Sequence, residues 1–405
     1  RIAGQLEGGR YVCLEGCSAI SSHGLGDIAA RESWHVHEAV FDAVFDASEP
    51  WAFYGGTFAI PMLTRWMRSA SIQQKVHREE GNNTLRRIEA SVDIASFPLW
   101  TKHGATLSLG TSASTRRSSE WITELEYRVD AAIRTESAMT SHDLRRLLRP
   151  LELLLGLSTG RFTSARFGKA LIGPDDKQYA DWRWHPLELD HPKSHTRQAF
   201  LYSEWHDTCS HNIDSWLMRI DRIEPVIDLY LSSLRRLGLA ELQFQIVIQA
   251  LETYHRRLYG GQLLVDSEWQ RLRTCLNETV NEFAILRENS DDWRMALLGK
   301  LSFMNELSLG TRLKELFNNI EAVVLRVSGI PVKKLVRRVV ATRNYFTHWT
   351  DAGAPEALSG AELIYATSRL LALLELLLLR DVGFSLSSNA ASEIIRRRIT
   401  QVCPD

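Results

Sequence analysis

Apolar positions change their period partway along the chain. In the first third they alternate with polar ones. Trp34-His35-Val36-His37-Glu38-Ala39-Val40-Phe41, Arg87-Ile88-Glu89-Ala90-Ser91-Val92-Asp93-Ile94 and Trp121-Ile122-Thr123-Glu124-Leu125-Glu126-Tyr127-Arg128-Val129 each place every second side chain on one face, the period of a half-buried strand. The turn formers Glu7-Gly8-Gly9 and Gly81-Asn82-Asn83 separate such runs. This grammar predicts a β-rich domain over residues 1–140, either a sandwich or a partly closed barrel.

At Ser141 the period becomes helical, with leucines at 144, 147, 148, 151, 154 and 155. It lapses at Gly173-Pro174-Asp175-Asp176, a loop between two expected strands. From about residue 198 helix follows helix, punctuated by Gly238, Gly260-Gly261, Gly310, Gly329 and Gly353. Residues 141–238 thus form a mixed, mainly helical connector, 239–390 an all-α bundle and 391–405 a basic tail. The fold class is α+β.

Two helices near the end have marked boundaries. Ser328-Gly329-Ile330-Pro331 opens the first, with proline where its missing N–H costs nothing, and Gly353 and Pro355 stop it. Ser359-Gly360-Ala361-Glu362 has the S-x-x-E spacing of a capping box and opens a leucine-rich last helix. That helix contains the most apolar run, Leu370 to Leu379. About ten residues are too few for a membrane span, which needs roughly 20, so the run is expected to be buried.

On a wheel of about 100° per residue with Val332 at zero, Val332, Leu335, Val336, Val339 and Phe346 share one direction. Arg343 falls at about 20°, inside this stripe. A buried guanidinium keeps its charge and must meet a carboxylate, carbonyls or a ligand anion. His348 falls at about 160°, beside Asn344, Arg337 and Lys333.

Composition adds bounds. At 405 residues the chain is too long for one ordinary core. With 44% apolar and 24% charged residues it reads as globular throughout. A net charge of -1 gives no global attraction for nucleic acid, so any polyanion site must be local. The segment from Arg326 to His348 is such a patch: Arg326, Lys333, Lys334, Arg337, Arg338 and Arg343, with no acid among them. Five scattered cysteines argue for a reducing compartment rather than a disulfide framework. The chain starts at Arg1 rather than Met, which leaves a preceding or removed segment open.

Imidazole and guanidinium on a basic helix suit attack of a ribose 2′-hydroxyl on the adjacent phosphate. One imidazole removes the 2′ proton, another donates to the leaving 5′ oxygen, and arginine stabilises the phosphoryl charge. One chain offers one His348, so the chemistry calls for a two-fold dimer that apposes two copies of this helix.

The hexapeptide Arg343-Asn344-Tyr345-Phe346-Thr347-His348 resembles the RN-x3-H form of the HEPN nuclease signature. With Phe244 to Arg257 as a first long helix, the basic helix and the apolar closing helix, residues 240–385 resemble the HEPN domain of the ApeA family of bacterial anti-phage proteins. Residues 1–235 resemble that family's N-terminal domain more loosely. The resemblance implies a metal-independent endoribonuclease without cofactor, acting as a homodimer or higher oligomer in the bacterial cytoplasm. It would cut cellular RNA, with tRNA as the implied target, leave 2′,3′-cyclic phosphate and 5′-hydroxyl ends and arrest growth. The first domain would be the sensor or regulator for a phage-derived trigger. The resemblance makes Arg343 the phosphate-binding catalytic arginine, His348 the catalytic histidine and Asn344 the polar residue beside them. Tyr345 and Glu252 are supporting residues, with Glu252 a helix-one acid able to pair with Arg343. The RNA-binding face would be Lys333, Lys334, Arg337 and Arg338.

Other constellations carry less. Cys13-x3-Cys17 followed by His35-x-His37 has zinc-ligand types, but the spacing is loose and the surroundings look structural. Trp182-Arg183-Trp184-His185 reads as core or interface aromatics ahead of base stacking, and Arg396-Arg397-Arg398 as a solvated tail. His255, mid-stripe, reads as a satisfied core histidine. For the basic helix itself, a histidine favoured by a helix C-terminus with solvated arginines is the structural alternative. Two functional classes stand beside the nuclease: a non-catalytic RNA- or nucleotide-binding module, and a plain interaction scaffold.

Overall fold

The computed structural model describes residues 2–6, 8–23, 31–43, 45, 50–67, 73–78, 85–91, 96–117, 123–165, 167–175, 178–184, 199–209, 213–235, 239–284, 290–320, 332–348, 356–384, 393, 394 and 396. They fall into two compact units, Arg1–Met218 and Arg219–Asp405. The stretch expected as a separate connector is divided between them, and the boundary falls within a helix, Ile213–Ser233. The expected start and stop signals at Ser328–Pro331 and at Gly353 and Pro355 lie outside the described residues, as do the turn Gly81-Asn82-Asn83, His185, Arg397 and Arg398.

The first unit is built on one nine-stranded antiparallel sheet in the order β1-β2-β5-β13-β12-β6-β11-β10-β9. Its edges are β1 (Ile2–Gln5) and β9 (Ser96–Lys102), which do not pair with each other, so the sheet is open. The run expected as one strand at Trp34–Phe41 is two, β4 (Arg31–His35) and β5 (Glu38–Phe41). Of these β5 lies in the large sheet, whereas β4 pairs with β3 (Ser18–His23). The longest pairing is the hairpin of β10 (Ala105–Arg117) and β11 (Thr123–Thr140).

Inside this sheet β6 (Ala52–Ala59) runs between β12 (Phe167–Leu171) and β11. Gly55, at φ 140°, lets β11 approach: a Cβ there would lie 2.1 Å from the Ile133 carbonyl oxygen. Trp182 and Trp184 on β13 (Tyr179–Trp184) are buried. Trp182 stacks on Phe53 at 5.1 Å and meets Phe58 edge-on at 5.7 Å. The aromatic alternation is therefore core, with only Arg183 between them exposed. Helix α2 (Ser141–Thr159) follows β11 without a linker. Thr140 caps it by accepting the Asp143 N–H at 3.2 Å, and Leu144, Leu148, Leu151 and Leu155 bury its face at the expected period.

The second unit is helical. Its central pair is α5 (Ala240–Tyr259) and a long last helix, Gly360–Val382, numbered α10 here. Phe244, Val247, Ile248 and Leu251 of α5 are buried as the stripe predicts. Leu370–Leu379 is buried throughout, and no helix among the described residues is long and apolar enough to cross a membrane. Ser359 does stand at the N-cap of α10, but its side chain makes no capping bond, so the capping box is not formed. The reason is that Glu362, which should complete it, is taken by Arg338. At the other end Tyr254 donates to Asp381 at 2.6 Å, and Asp381 also receives Arg219 at 2.8 Å. These bonds tie α10 to α5 and to the helix that opens the unit. Burial holds the Asp381 carboxyl above its ordinary range.

Candidate active site

Helix α9 (Val332–His348) carries the hexapeptide and packs on α8 (Leu309–Asn318) and α5. Its buried residues are Leu335, Val336, Val339, Thr342 and Phe346. Four were expected. The fifth shifts the core face by about 30° on the wheel, toward Thr342. A threonine can sit there because its hydroxyl is satisfied twice: it donates to the Arg338 carbonyl at 2.7 Å and accepts the Leu358 N–H at 2.8 Å.

That rotation changes the setting of Arg343. The residue lies at the margin of the core, half-buried, so a long side chain reaches outward rather than into a closed interior. Its guanidinium donates to Asn344 Oδ1 at 3.3 Å and has no carboxylate partner among the described residues. The expected pairing with Glu252 is not made. Glu252 accepts instead from Arg256, one turn along the same helix, at 2.9 and 3.1 Å, and Arg256 also binds Glu306 at 2.6 Å.

Asn344 and His348 are exposed, and His348 is the last residue of α9, about 7.5 Å beyond Arg343 along the axis. Tyr345 is half-buried, with its ring 5.6 Å from that of Phe346. Phe346 meets Phe244 of α5 edge-on at 6.0 Å. Gln245, the next residue of α5, donates from Nε2 to the Phe346 carbonyl at 3.3 Å. That carbonyl is among the last four of the helix, which have no acceptor role inside it. Thr347 donates to the Arg343 carbonyl at 2.8 Å. Gln245 and Thr342 are thus the residues that hold the motif end of α9, and periodicity flags neither. A polar residue beside a core stripe at the helix start is the one signal Gln245 offers.

The basic face is less uniform than its sequence suggests. Lys333, Lys334 and Arg337 are exposed. Arg338 forms a two-pronged pair with Glu362 of α10 at 2.7 and 3.0 Å, which raises the arginine and holds the Glu362 carboxyl below the usual carboxylate range. The acid missing from the segment arrives across space, and Arg338 is not a free cation.

His255, behind the site, is fully buried and doubly bonded: Nε2 to Glu315 at 2.6 Å, and Nδ1 as acceptor of Arg312 Nη1 at 3.1 Å. An arginine cannot accept, so the proton sits on Nε2. It is the satisfied core histidine expected. Among the described residues no three His, Cys, Asp or Glu side chains form a metal-holding group. Cys13 is buried, with its thiol against the Ala43 carbonyl.

Two family models match the chain. Residues 1–227 match ApeA N-terminal domain 1 and residues 246–388 match the Apea-like HEPN domain. No curated protein and no solved structure matches significantly. The first model alone covers more than half of the chain, and the second spans both α5 and the hexapeptide helix. By its N-terminal sheet domain and its C-terminal helical domain together, this chain belongs to the ApeA family of HEPN proteins.

Proposed function

We propose that the chain is a metal-independent endoribonuclease of bacterial anti-phage defence, with Arg343, Asn344 and His348 as its catalytic residues. The single observation that carries this reading is the state of Arg343: a half-buried guanidinium on the motif helix with no carboxylate beside it among the described residues. A cation fixed next to the core and not neutralised by the protein is suited to an anionic ligand, and a phosphodiester supplies the charge. HEPN domains are typically nucleases, and membership of the family points the same way.

In this reading His348 of one copy takes the 2′ proton. The histidine of a second copy donates to the leaving 5′ oxygen, and the two arginines stabilise the phosphoryl oxygens. The products are a 2′,3′-cyclic phosphate and a 5′-hydroxyl. Acid–base assistance of this kind contributes about 10²–10⁴-fold. Lys333, Lys334 and Arg337, exposed on the same helix, guide the RNA backbone, and tRNA is the proposed target. The N-terminal sheet domain serves as the sensor for a phage-derived trigger, and the protein acts in the cytoplasm.

The test compares RNA from phage-challenged cells expressing the wild type, His348→Ala or Arg343→Ala, by sequencing 5′-hydroxyl ends. New ends should accumulate in the wild type alone, and purified protein should cut RNA in EDTA. Identical end profiles in all three strains would overturn the proposal. Loss of RNA binding in Arg337→Glu without any cleavage by the wild type would replace it with a non-catalytic binding module.

A further inference from the structure

Helix α6 (Asp266–Ala284) turns an apolar face to solvent. Of its nineteen residues only Trp269 is buried. Val265, just ahead of it, is 62% exposed, Leu272 42% and Phe283 53%, with Cys275 and Thr279 exposed between them. On a wheel with Leu272 at zero, Val265, Leu272, Thr279 and Phe283 fall within about 20° of zero, and Leu276 and Cys275 lie close on either side. Positions 265, 272 and 279 repeat every seventh residue, as do 276 and 283. This is the seam of a two-helix coil with its second helix missing. The neighbouring α7 (Ser290–Leu301) does not supply it, because Trp269 and Val280, the buried and half-buried residues, lie at about 60–80°.

The root of α6 is held firmly, so the exposure belongs to a fixed surface. Leu263 N–H and Leu264 N–H donate to the backbone and side chain of Asn305, each at 2.8 Å, and Leu307 N–H donates to Gly261 at 2.9 Å. The buried Arg312 guanidinium donates to Gly260 at 2.9 Å and to Leu307 at 3.0 Å. This clasp itself displays Leu263, Phe303 and Met304, each more than half exposed.

The charges say what covers the seam. Arg271, Glu278 and Glu282 are all exposed, form no ion pair among the described residues, and share one flank at about 100° from Leu272. Glu278 and Glu282 are four residues apart, a like-charged pair that costs an isolated helix a little stability. In an antiparallel pair related by a two-fold axis, a flank meets its own copy in reverse order. Arg271 of one helix then lies between Glu278 and Glu282 of the other, twice over. In a parallel pair each charge would meet itself. The sequence of this flank fits its own reversed copy and repels the parallel alternative.

We infer that α6 is a homotypic docking surface that takes a second copy of this chain, antiparallel, about an axis near Cys275. The inference rests on the proposed function only for why association matters, since a nuclease with one histidine per chain needs two chains. Association itself is measured without RNA, so either idea can fail alone.

The test uses the full-length protein, sedimentation velocity and a short bismaleimide that bridges thiols. Wild type should dimerise and be cross-linked through Cys275, as located by peptide mapping. Arg271→Glu and Glu278→Arg/Glu282→Arg should each weaken self-association by at least about tenfold, because like charges then face each other across the seam. All three positions are exposed, so folding is spared, and circular dichroism checks this. Mixed in equal amounts, the two variants should associate with each other and recover the wild-type sedimentation. A wild type that stays monomeric without cross-linking overturns the inference. So does a dimer insensitive to both charge reversals, or a mixture that fails to re-associate.

Discussion

Replacing Thr342 by valine isolates one hydroxyl. Valine keeps the shape of the side chain and has a similar helix propensity, so neither a cavity nor a change of local preference intervenes. Losing the donor to the Arg338 carbonyl costs little, since that oxygen keeps its place in the α-helical ladder. Losing the acceptor is different. The Leu358 N–H points at Thr342 Oγ1 from 2.8 Å in a buried setting, and no water can replace a methyl there. An orphaned buried donor costs about 1–3 kcal/mol. For a domain of this size each kcal/mol lowers the melting temperature by about 2–4 °C, so about 6 °C is expected from the middle of the range. Native-state hydrogen exchange gives the local readout: the Leu358 amide should be protected in the wild type and exchange faster in Thr342→Val. Thr342→Ser keeps the hydroxyl and should keep the protection, at a cost of about 0.8 kcal/mol for the lost methyl. Unchanged exchange at Leu358 and an unchanged melting temperature in the valine variant would refute the rotated core face and the account of Arg343 that depends on it.

Three other outcomes follow from the same physics. Glu152 is buried and accepts the Ala165 N–H at 2.7 Å; burial holds its carboxyl above the ordinary 4.5, so the folded state keeps a proton that the unfolded state loses. Its contribution is therefore complete below pH 4.5 and is lost as pH rises through the raised folded value. Urea titrations should find Glu152→Gln, which keeps an acceptor, more stable relative to wild type at pH 7 than at pH 4. Arg369 is 7% exposed, stacks on Tyr365 at 4.3 Å and donates to its hydroxyl, but its Nε and Nη1 meet no acceptor. Thermal melts should show Arg369→Met at least as stable as wild type, because an uncompensated buried charge is removed, and a clear loss would mean that a partner occupies those two nitrogens. A double-mutant cycle on Arg338→Gln and Glu362→Gln should give a small coupling that shrinks as salt rises, as suits an exposed pair; a coupling indifferent to salt would contradict that.

What the sequence disclosed and what it hid divide along the range of the interactions. The helix at Ser141, the α5 stripe, the buried last helix and the core character of Trp182, Trp184 and His255 follow from periods and residue types that act within a turn or a strand. The β10–β11 hairpin escaped notice because Ala105–Arg117 is rich in Ser, Thr and Gly, and only its long partner strand makes it regular. At the site, the six residues of the motif and the helix that bears them could be read directly. Their partners could not. Glu252 chose Arg256, Glu362 chose Arg338 over Ser359, and Thr342 turned inward toward Leu358. Each choice sets a bond within the helix against one across helices, and the sequence alone does not weigh them.

These choices bear on function through one charge. Had Glu252 paired with Arg343, the guanidinium would be neutralised before any ligand arrived, and a phosphate would have to displace a carboxylate held close to the core. Glu252 is instead shared with Arg256, which is anchored a second time by Glu306 beside the clasp at the root of α6. Arg256 thus draws away the acid that would silence Arg343, and Arg256→Ala frees Glu252 to swing toward it. The consequence for catalysis is directional: such a variant should bind RNA more weakly through Arg343 while His348 is untouched, and Glu252→Gln in the same background should restore binding. Restoration by the neutral residue is what distinguishes lost charge from lost packing.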